Sequence, residues 1–126
     1  METLPGYYAL YPRGSGAAGA PLPKGYLMVS RWADATEAKL WMATGGTFVP
    51  PQVGAGGRVY VTVFGAPRPS GTGLVRIDFA VPLAALQVAG HAEWRQILQP
   101  IANVPIHNVV IHVPSSIPSS QITGRR

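Results

Sequence analysis

The chain has 126 residues, of which 47% are hydrophobic and 12% charged, so it can bury one hydrophobic core and is not disordered over most of its length. Ten basic and five acidic residues give a net charge of +5, which favours nucleic acid, an acidic protein or a phosphate-bearing ligand as a partner. The absence of cysteine excludes disulfides, thiolate catalysis and cysteine-type zinc sites, and no apolar run approaches the ~20 residues that span a bilayer.

The beginning of the chain predicts one strand followed by a flexible loop. Residues 7–11, YYALY, have the composition of a short strand, and the Gly-, Ala- and Pro-rich segment after them is typical of a loop. We therefore expect residues 1–25 to precede a core at residues 26–114, and we expect residues 115–126 to form a linker-like tail. By size, the three segments belong to one domain.

The clearest local signal is a capped helix at residues 35–44. Asp34 is a suitable N-cap, and Glu37 three residues later completes a capping-box pattern. The helix formers that follow place Trp41 and Met42 on one apolar stripe, and a Gly-Gly pair supplies the C-terminal stop. We expect this helix to pack on a sheet through Trp41 and Met42.

Strand patterns account for most of the remaining chain. In residues 74–81, alternation predicts that Val75, Ile77 and Phe79 face the core and that Arg76 and Asp78 face outward. Residues 82–89 begin with proline and stop at glycine, which predicts a short helix. The order of elements predicts an α+β fold with a largely antiparallel sheet and one main helix. The predicted strands are residues 7–11, 26–32, 58–64, 74–81, 94–99 and 106–113.

Arg31 stands where a strand gives way to the predicted helix. One interpretation is a surface arginine whose stem packs on Trp32. The other is a guanidinium at the floor of a cleft, where it binds a phosphate or ribose by paired hydrogen bonds beside the helix N-terminus. The sequence leaves both open.

Two later strands carry polar side chains that need partners. Tyr60 and Thr62 share one face of their strand, either as ordinary strand formers or as a cleft wall in which Tyr60 stacks on a flat ring. Gln96 shares a face with Trp94, and a carboxamide in a strand is costly unless its polar atoms are satisfied. Glu93 is the last carboxylate of the sequence and lies three residues from Gln96.

The three histidines are His91, His107 and His112. Their spacing does not suit a helix-borne metal pair, so we expect no metal site. His107 and His112 are expected on opposite faces of one strand. A histidine beside arginine still permits the acid–base chemistry of a ribonuclease.

Several of these segments together resemble small ADP-ribosyltransferase domains, most of all those that form C-terminal toxin modules of bacterial polymorphic toxins. They are a strand ending in SR, a capped helix with Glu, a Gly-Gly pair, and the segments VYVT, RIDFAVP and EWRQILQP. The resemblance covers residues 26–113. It implies a split, largely antiparallel sheet that clamps NAD.

The resemblance also implies a role for individual residues. Arg31 corresponds to the family's arginine on the first core strand, and Thr62 with Tyr60 corresponds to its hydroxyl position on a middle strand. Gln96, with Glu93 as its rival, corresponds to the catalytic residue on a late strand. The implied NAD-binding residues are Arg31, Tyr60, Thr62 and Trp94. Because Gln96 replaces the usual Glu, and no Ser-Thr-Ser pattern surrounds Thr62, ADP-ribosyl transfer and NAD hydrolysis both remain open.

The biology implied by the resemblance is that of a secreted toxin in interbacterial competition. Such a domain is delivered as the C-terminal part of a larger protein and acts in the cytoplasm of the target cell. NAD is its substrate, no metal is needed, and its partners are an acidic immunity protein and a target protein or nucleic acid, with no membrane involved. Two alternatives remain: a metal-independent ribonuclease toxin that uses His107 or His91, and a non-catalytic interaction module.

Overall fold

A computed structural model describes residues 5–12, 21–44, 58–89, 94–98 and 107–124. Of the helices in this part of the chain, none has the length and apolar character needed to cross a membrane. The strands are β1 (Tyr7–Leu10), β2 (Tyr26–Ala33), β3 (Arg58–Val63), β4 (Val75–Pro82), β5 (Leu86–Val88), β6 (Trp94–Leu98) and β7 (His107–Pro114). The helices are α1 (Ala35–Thr44) and α2 (Ser119–Thr123), with a 3₁₀ turn at Leu83–Ala85.

The strands form one sheet in the order β1-β7-β4-β2-β3-β6-β5, and each described pair is antiparallel. The predicted α+β fold with a largely antiparallel sheet is therefore confirmed. Strands β2 and β4 pair over eight residues each, whereas β2 and β3 share two pairs, Val29 with Val63 and Ser30 with Thr62. We call these two pairs the seam, because they join a half-sheet of four strands (β1, β7, β4, β2) to one of three (β3, β6, β5).

Helix α1 covers one face of the sheet, which we call the helix face. Trp41 is buried, and its ring lies 4.7 Å from that of Phe79, centroid to centroid. Met42 packs against the same core, so the predicted contact through Trp41 and Met42 is confirmed. The apolar residues of this core come from both halves of the sheet and both helices: Val29, Ala33, Ala38, Trp41, Val61, Val75, Ile77, Phe79, Val81, Ile97, Val109, Ile111, Val113 and Ile122.

The junction between β2 and α1 is fixed by a cap and by a close backbone approach. The Glu37 amide donates to Asp34 Oδ1 at 2.8 Å, which is the predicted N-cap. Gly73 passes the junction so closely that a Cβ there would lie 2.1 Å from the Ala33 carbonyl carbon. Only glycine fits that position, and the loop before β4 therefore braces the residues that follow Arg31.

Two predicted segments differ from the structure. Residues 82–89 form a 3₁₀ turn followed by strand β5, which pairs with β6 through Leu86 and Ile97. Within the tail, residues 119–123 form α2, whose Ile122 is buried in the core and whose C-cap Gly124 has a left-handed φ of 72°. The linker-like interpretation is wrong for this segment because Ile122 makes long-range core contacts.

Strand β4 lies at the centre of the larger half-sheet, and both of its faces are buried. Arg76 and Asp78, which alternation placed facing outward, are accordingly buried and paired with each other. They occupy the face opposite α1, which we call the polar face. The prediction failed because alternation separates the two faces of a strand but does not say whether the second face meets solvent.

A bulge in β7 alters the positions of its histidines. The register between β4 and β7 shifts between Asp78 and Ala80, and Asn108 has a φ of 56°. As a result Ala80 pairs with His107 and Arg76 pairs with His112, so both histidines belong to the polar face. Their predicted placement on opposite faces is wrong, because the bulge adds one residue between them.

Candidate functional site

Register pairing between the two half-sheets ends immediately beyond the seam. Strand β2 continues from Ser30 to Ala33 paired with β4, and β3 extends back from Thr62 to Arg58 paired with β6. Within the described strands, no register pair joins β2 to β3 in these stretches. We call this stretch, in which β2 and β3 have no described register pair, the opening. Arg31 is the first residue of β2 beyond the seam.

The Arg31 side chain crosses the opening on the helix face. Its Nε and NH2 atoms donate to Glu37 Oε2 and Oε1 at 2.5 and 2.8 Å. Its NH1 atom donates to the Tyr60 carbonyl at 2.9 Å. The indole N–H of Trp41 donates to Glu37 Oε2 at 3.1 Å, so the carboxylate is itself held in place. The guanidinium is thus a fixed bridge between helix α1, strand β2 and strand β3.

This geometry bears on both interpretations of Arg31. The side chain is 17% exposed and paired with Glu37, so it is not a surface arginine resting on Trp32. Its bidentate pair is made with Glu37, and a role of Arg31 in binding a phosphate or ribose stays a prediction. A guanidinium has five N–H groups, and the described acceptors use three of them. The other two have no acceptor among the residues that the structure describes.

Tyr60, Thr62 and Trp94 lie on the polar face, beside the opening. The rings of Tyr60 and Trp94 meet edge to face at 6.3 Å between centroids. Thr62 is buried, stands opposite Ser30, and donates to the Ser30 carbonyl at 3.3 Å. These three predicted residues are therefore brought together, with the hydroxyl of Thr62 used in the seam.

Gln96 stands opposite Tyr60 and Gln87 in the strand register. This places its strand position on the polar face, whereas Arg31 is opposite Ile77 on the helix face. The two strand positions therefore lie on opposite faces of the sheet, and the expectation that Gln96 and Arg31 line one cleft stays a prediction. Glu93 and His91 lie outside the described residues.

A second group of polar side chains lies on the polar face of the larger half-sheet. We call Ser30, Arg76, Asp78 and His112 the Asp78 cluster. The Ser30 hydroxyl donates to Asp78 Oδ1 at 2.6 Å, and Arg76 NH2 donates to Asp78 Oδ2 at 3.1 Å. His112 Nε2 lies 2.8 Å from the same Oδ2. All four residues are buried.

Buried nitrogen atoms in and next to the Asp78 cluster lack hydrogen-bond partners among the described residues. Within the part of the chain that the structure describes, Arg76 Nε, His112 Nδ1 and Trp32 Nε1 have no hydrogen-bond partner. His112 Nε2 is close enough to Asp78 for an ion pair but is not aligned for a hydrogen bond. Each unpartnered buried donor costs about 1–3 kcal/mol.

Sequence reasoning missed the roles of Glu37 and Asp78. Glu37 matched a capping box, but its carboxylate binds Arg31, six residues earlier in the sequence. Arg76 and Asp78 are two apart in a strand, a spacing that places opposite charges side by side on one face. That spacing, with a histidine in another apolar strand, was the available signal for the cluster.

His107 is half-buried, and its ring meets that of Tyr26 edge to face at 5.0 Å between centroids. None of the described contacts joins it to an arginine. Among the residues that the structure describes, no three His, Asp or Glu side chains are grouped so that they could hold a metal ion.

Comparison with known proteins does not assign a family. No protein-family model matches the chain, and no curated protein matches it.

Proposed function

We propose that this chain is an ADP-ribosyltransferase-like toxin domain that cleaves NAD and transfers ADP-ribose to a target, or to water. The observation that carries the proposal is the split of the sheet at the seam, with the Arg31 guanidinium fixed across the opening. The sheet pairs over eight residues on one side of β2 and over two on the other, and this unequal pairing supports the proposed entry of a flat, extended ligand beside the seam.

Both sides of the opening offer groups that suit a dinucleotide. On the helix face, two N–H groups of Arg31 can donate to ribose or phosphate oxygens from a fixed direction. On the polar face, the Tyr60 and Trp94 rings supply an aromatic surface for a nicotinamide or adenine ring. Because Glu37 neutralises Arg31, the proposed role of the arginine is orientation, and affinity comes from stacking and shape.

The reaction breaks the bond between the ribose C1′ atom and the nicotinamide nitrogen. The nicotinamide leaves with the electron pair of that bond, and an oxocarbenium-like ribose remains. A nucleophile on the target, or water, then bonds to C1′ and releases a proton. Holding NAD in a reactive conformation supplies much of the required rate enhancement. The Gln96 carboxamide, or the Glu93 carboxylate in its place, accepts a hydrogen bond from a ribose hydroxyl and favours the cationic state.

The test is to incubate the pure domain with NAD and to follow nicotinamide, free ADP-ribose and target-bound ADP-ribose by chromatography. Release of nicotinamide by the wild type, strongly reduced in Arg31→Lys, is expected. Arg68→Ala is the matched control, because Arg68 is exposed and donates to the Thr72 carbonyl in its own loop. Free ADP-ribose indicates hydrolysis, and bound ADP-ribose indicates transfer. RNA degradation without loss of NAD would favour the ribonuclease alternative.

An acidic immunity protein and delivery as part of a larger secreted toxin belong to the same proposal. Surface charge supports the acidic partner: among the described residues, Glu37 and Asp78 are buried in ion pairs. The exposed charged residues in the described part of the chain are three basic ones, Lys24, Lys39 and Arg68, and one acidic one, Asp34. A positive surface of this kind accelerates association with an acidic protein.

A further inference from the structure

We infer that Asp78 is a positioning residue, which holds Ser30 and through it sets the seam beside which NAD binds. Every hydrogen bond of Asp78 described above is made away from the opening, so the residue acts on the substrate through the backbone. The inference rests on the proposed function for its substrate, although its structural part can be tested without NAD.

Ser30 is the residue on which the two half-sheets depend. It forms one of the two register pairs of the seam, with Thr62, and its carbonyl accepts the Thr62 hydroxyl. Its own hydroxyl is bound to Asp78, which lies directly opposite it on β4. Asp78 thus connects β4 to β2, and Thr62 extends the connection from β2 to β3.

The rest of the cluster fixes Asp78. Arg76 donates to Oδ2 from the same strand, and His112 approaches the same oxygen from β7. The carboxylate therefore has contacts from three strands, which leaves it little freedom to turn away from Ser30. Such fixation is useful where one short seam must keep two half-sheets at a constant separation.

Two separate polar networks meet at consecutive residues of β2. On the helix face, Asp34, Glu37 and Trp41 hold Arg31. On the polar face, the Asp78 cluster holds Ser30. Because adjacent residues of a strand point to opposite faces, the backbone at Ser30 and Arg31 is held from both sides. A shift of Ser30 would carry Arg31, and its remaining donors, away from the ligand.

The energetics favour a positioning role over a stabilising one. The cluster buries one carboxylate, one guanidinium and one imidazole, and Arg76 Nε and His112 Nδ1 have no partner among the described residues. Well-packed apolar side chains in place of a buried ionic group are often neutral or stabilising. What the cluster supplies, and apolar residues would not, is a directed hydrogen bond to the Ser30 hydroxyl.

The experiment compares Ser30→Ala with Ser115→Ala. Each substitution removes one serine hydroxyl that makes one described hydrogen bond, but Ser115 donates to the Gly6 carbonyl, in a turn beside the β1–β7 edge of the sheet. Amide hydrogen exchange is measured at Arg31 and Thr62, with Val81 and Ile111 as reference positions in the paired β4 and β7. Loss of one hydrogen bond predicts roughly tenfold faster exchange near the seam in Ser30→Ala. Neither the reference positions nor Ser115→Ala should show this change.

Steady-state kinetics with NAD supply the second measurement. Ser30→Ala should raise KM roughly tenfold with a smaller change in kcat, because the bound conformation is reached less often. Unchanged exchange at Arg31 and Thr62 in Ser30→Ala overturns the inference, as does an unchanged KM in an active enzyme. If the wild type releases no nicotinamide, the proposed function fails, while the exchange result still decides whether Asp78 and Ser30 set the seam.

Discussion

At the scale of one residue, Arg31 has a structural task that can be separated from any role in binding. Arg31→Ala leaves the buried Glu37 carboxylate with the Trp41 indole as its described side-chain donor. Removing one partner of such a pair costs about 3–5 kcal/mol when the pair is fully buried, and about 2–4 kcal/mol here because both side chains are partly exposed. Urea unfolding monitored by far-UV circular dichroism measures the loss.

The control for this prediction is Arg68→Ala, which should change stability by no more than about 0.5 kcal/mol. Arg31→Lys keeps the charge but not the bidentate geometry, so it should lose less stability than Arg31→Ala. A cost below about 1 kcal/mol for Arg31→Ala would mean that the pair with Glu37 contributes little. Arg31→Ala is also expected to weaken NAD binding by about 1.5–3 kcal/mol. Because this variant loses more stability, NAD binding should also be measured in Arg31→Lys.

Tyr8 gives the protein a pH dependence in the alkaline range. Its hydroxyl donates to the Ile117 carbonyl, and burial raises its pKa above the ordinary value of 10.0. The folded state therefore keeps the Tyr8 proton at pH values where the unfolded chain has released it. Stability contributed by this group is complete below pH 10.0 and is lost as the pH rises through the folded-state pKa.

The measurement is the urea midpoint from pH 8 to pH 11. Wild type should lose stability above pH 10.0 more steeply than Tyr8→Phe, which has no proton to release at that position. Tyr11→Phe, at an exposed tyrosine, should follow the wild type. Identical slopes for wild type and Tyr8→Phe would contradict the assignment.

At the scale of an element, α1 depends on one aromatic side chain. Trp41 is 1% exposed, packs on Phe79 and donates to Glu37. Trp41→Ala should therefore cost about 3–5 kcal/mol from the lost burial and the cavity left behind. Trp41→Phe keeps most of the ring packing and removes the N–H donor, so the difference between the two variants separates packing from the support of Glu37. Thermal unfolding of both variants provides the comparison, and equal losses would show that the indole N–H dominates.

Elements whose signals are local were predicted well from the sequence. Helix α1 has the predicted bounds because Asp34 acts within three residues of itself. Strand β5 and helix α2 were missed because their stabilising contacts come from distant parts of the chain. Leu86 pairs with Ile97, and Ile122 completes a core built mainly by strands. The alternation of β4 was correct, but its burial on both faces depends on which strands flank it, and that is not a property of the strand itself.

At the scale of the whole molecule, the candidate site depends on how two half-sheets meet. The sequence singled out Arg31 because a cation at the junction of a strand and a capped helix is unusual. It did not reveal Glu37 as the partner, since the same residue fitted a capping box. Nor did it reveal the seam, because the register between β2 and β3 is set by strands far apart in sequence. The one-residue bulge in β7 places His107 on the polar face together with His112.

The proposed catalytic residue and the proposed NAD-binding arginine lie in different halves of the sheet, because Gln96 is in the smaller half-sheet and Arg31 in the larger. A ligand held by both must span the opening. Gln96→Ala should abolish nicotinamide release and leave the melting temperature nearly unchanged, because the removed group orients substrate. Glu93→Ala tests the rival position. Loss of activity in Glu93→Ala with activity retained in Gln96→Ala would move the catalytic position by three residues.

His107→Ala is the decisive companion to these two variants. His107 lies on the polar face beside Tyr26, in the larger half-sheet. If the domain cleaves NAD, His107→Ala should keep most of its activity, because the reaction needs no histidine as acid or base. If the wild type, Gln96→Ala and Glu93→Ala all cleave RNA without loss of NAD while His107→Ala abolishes RNA cleavage, the NAD proposal is wrong and the ribonuclease alternative replaces it. Assays of NAD cleavage and RNA cleavage are run in parallel on the same three variants. The outcomes are distinguishable because each mechanism depends on a different side chain.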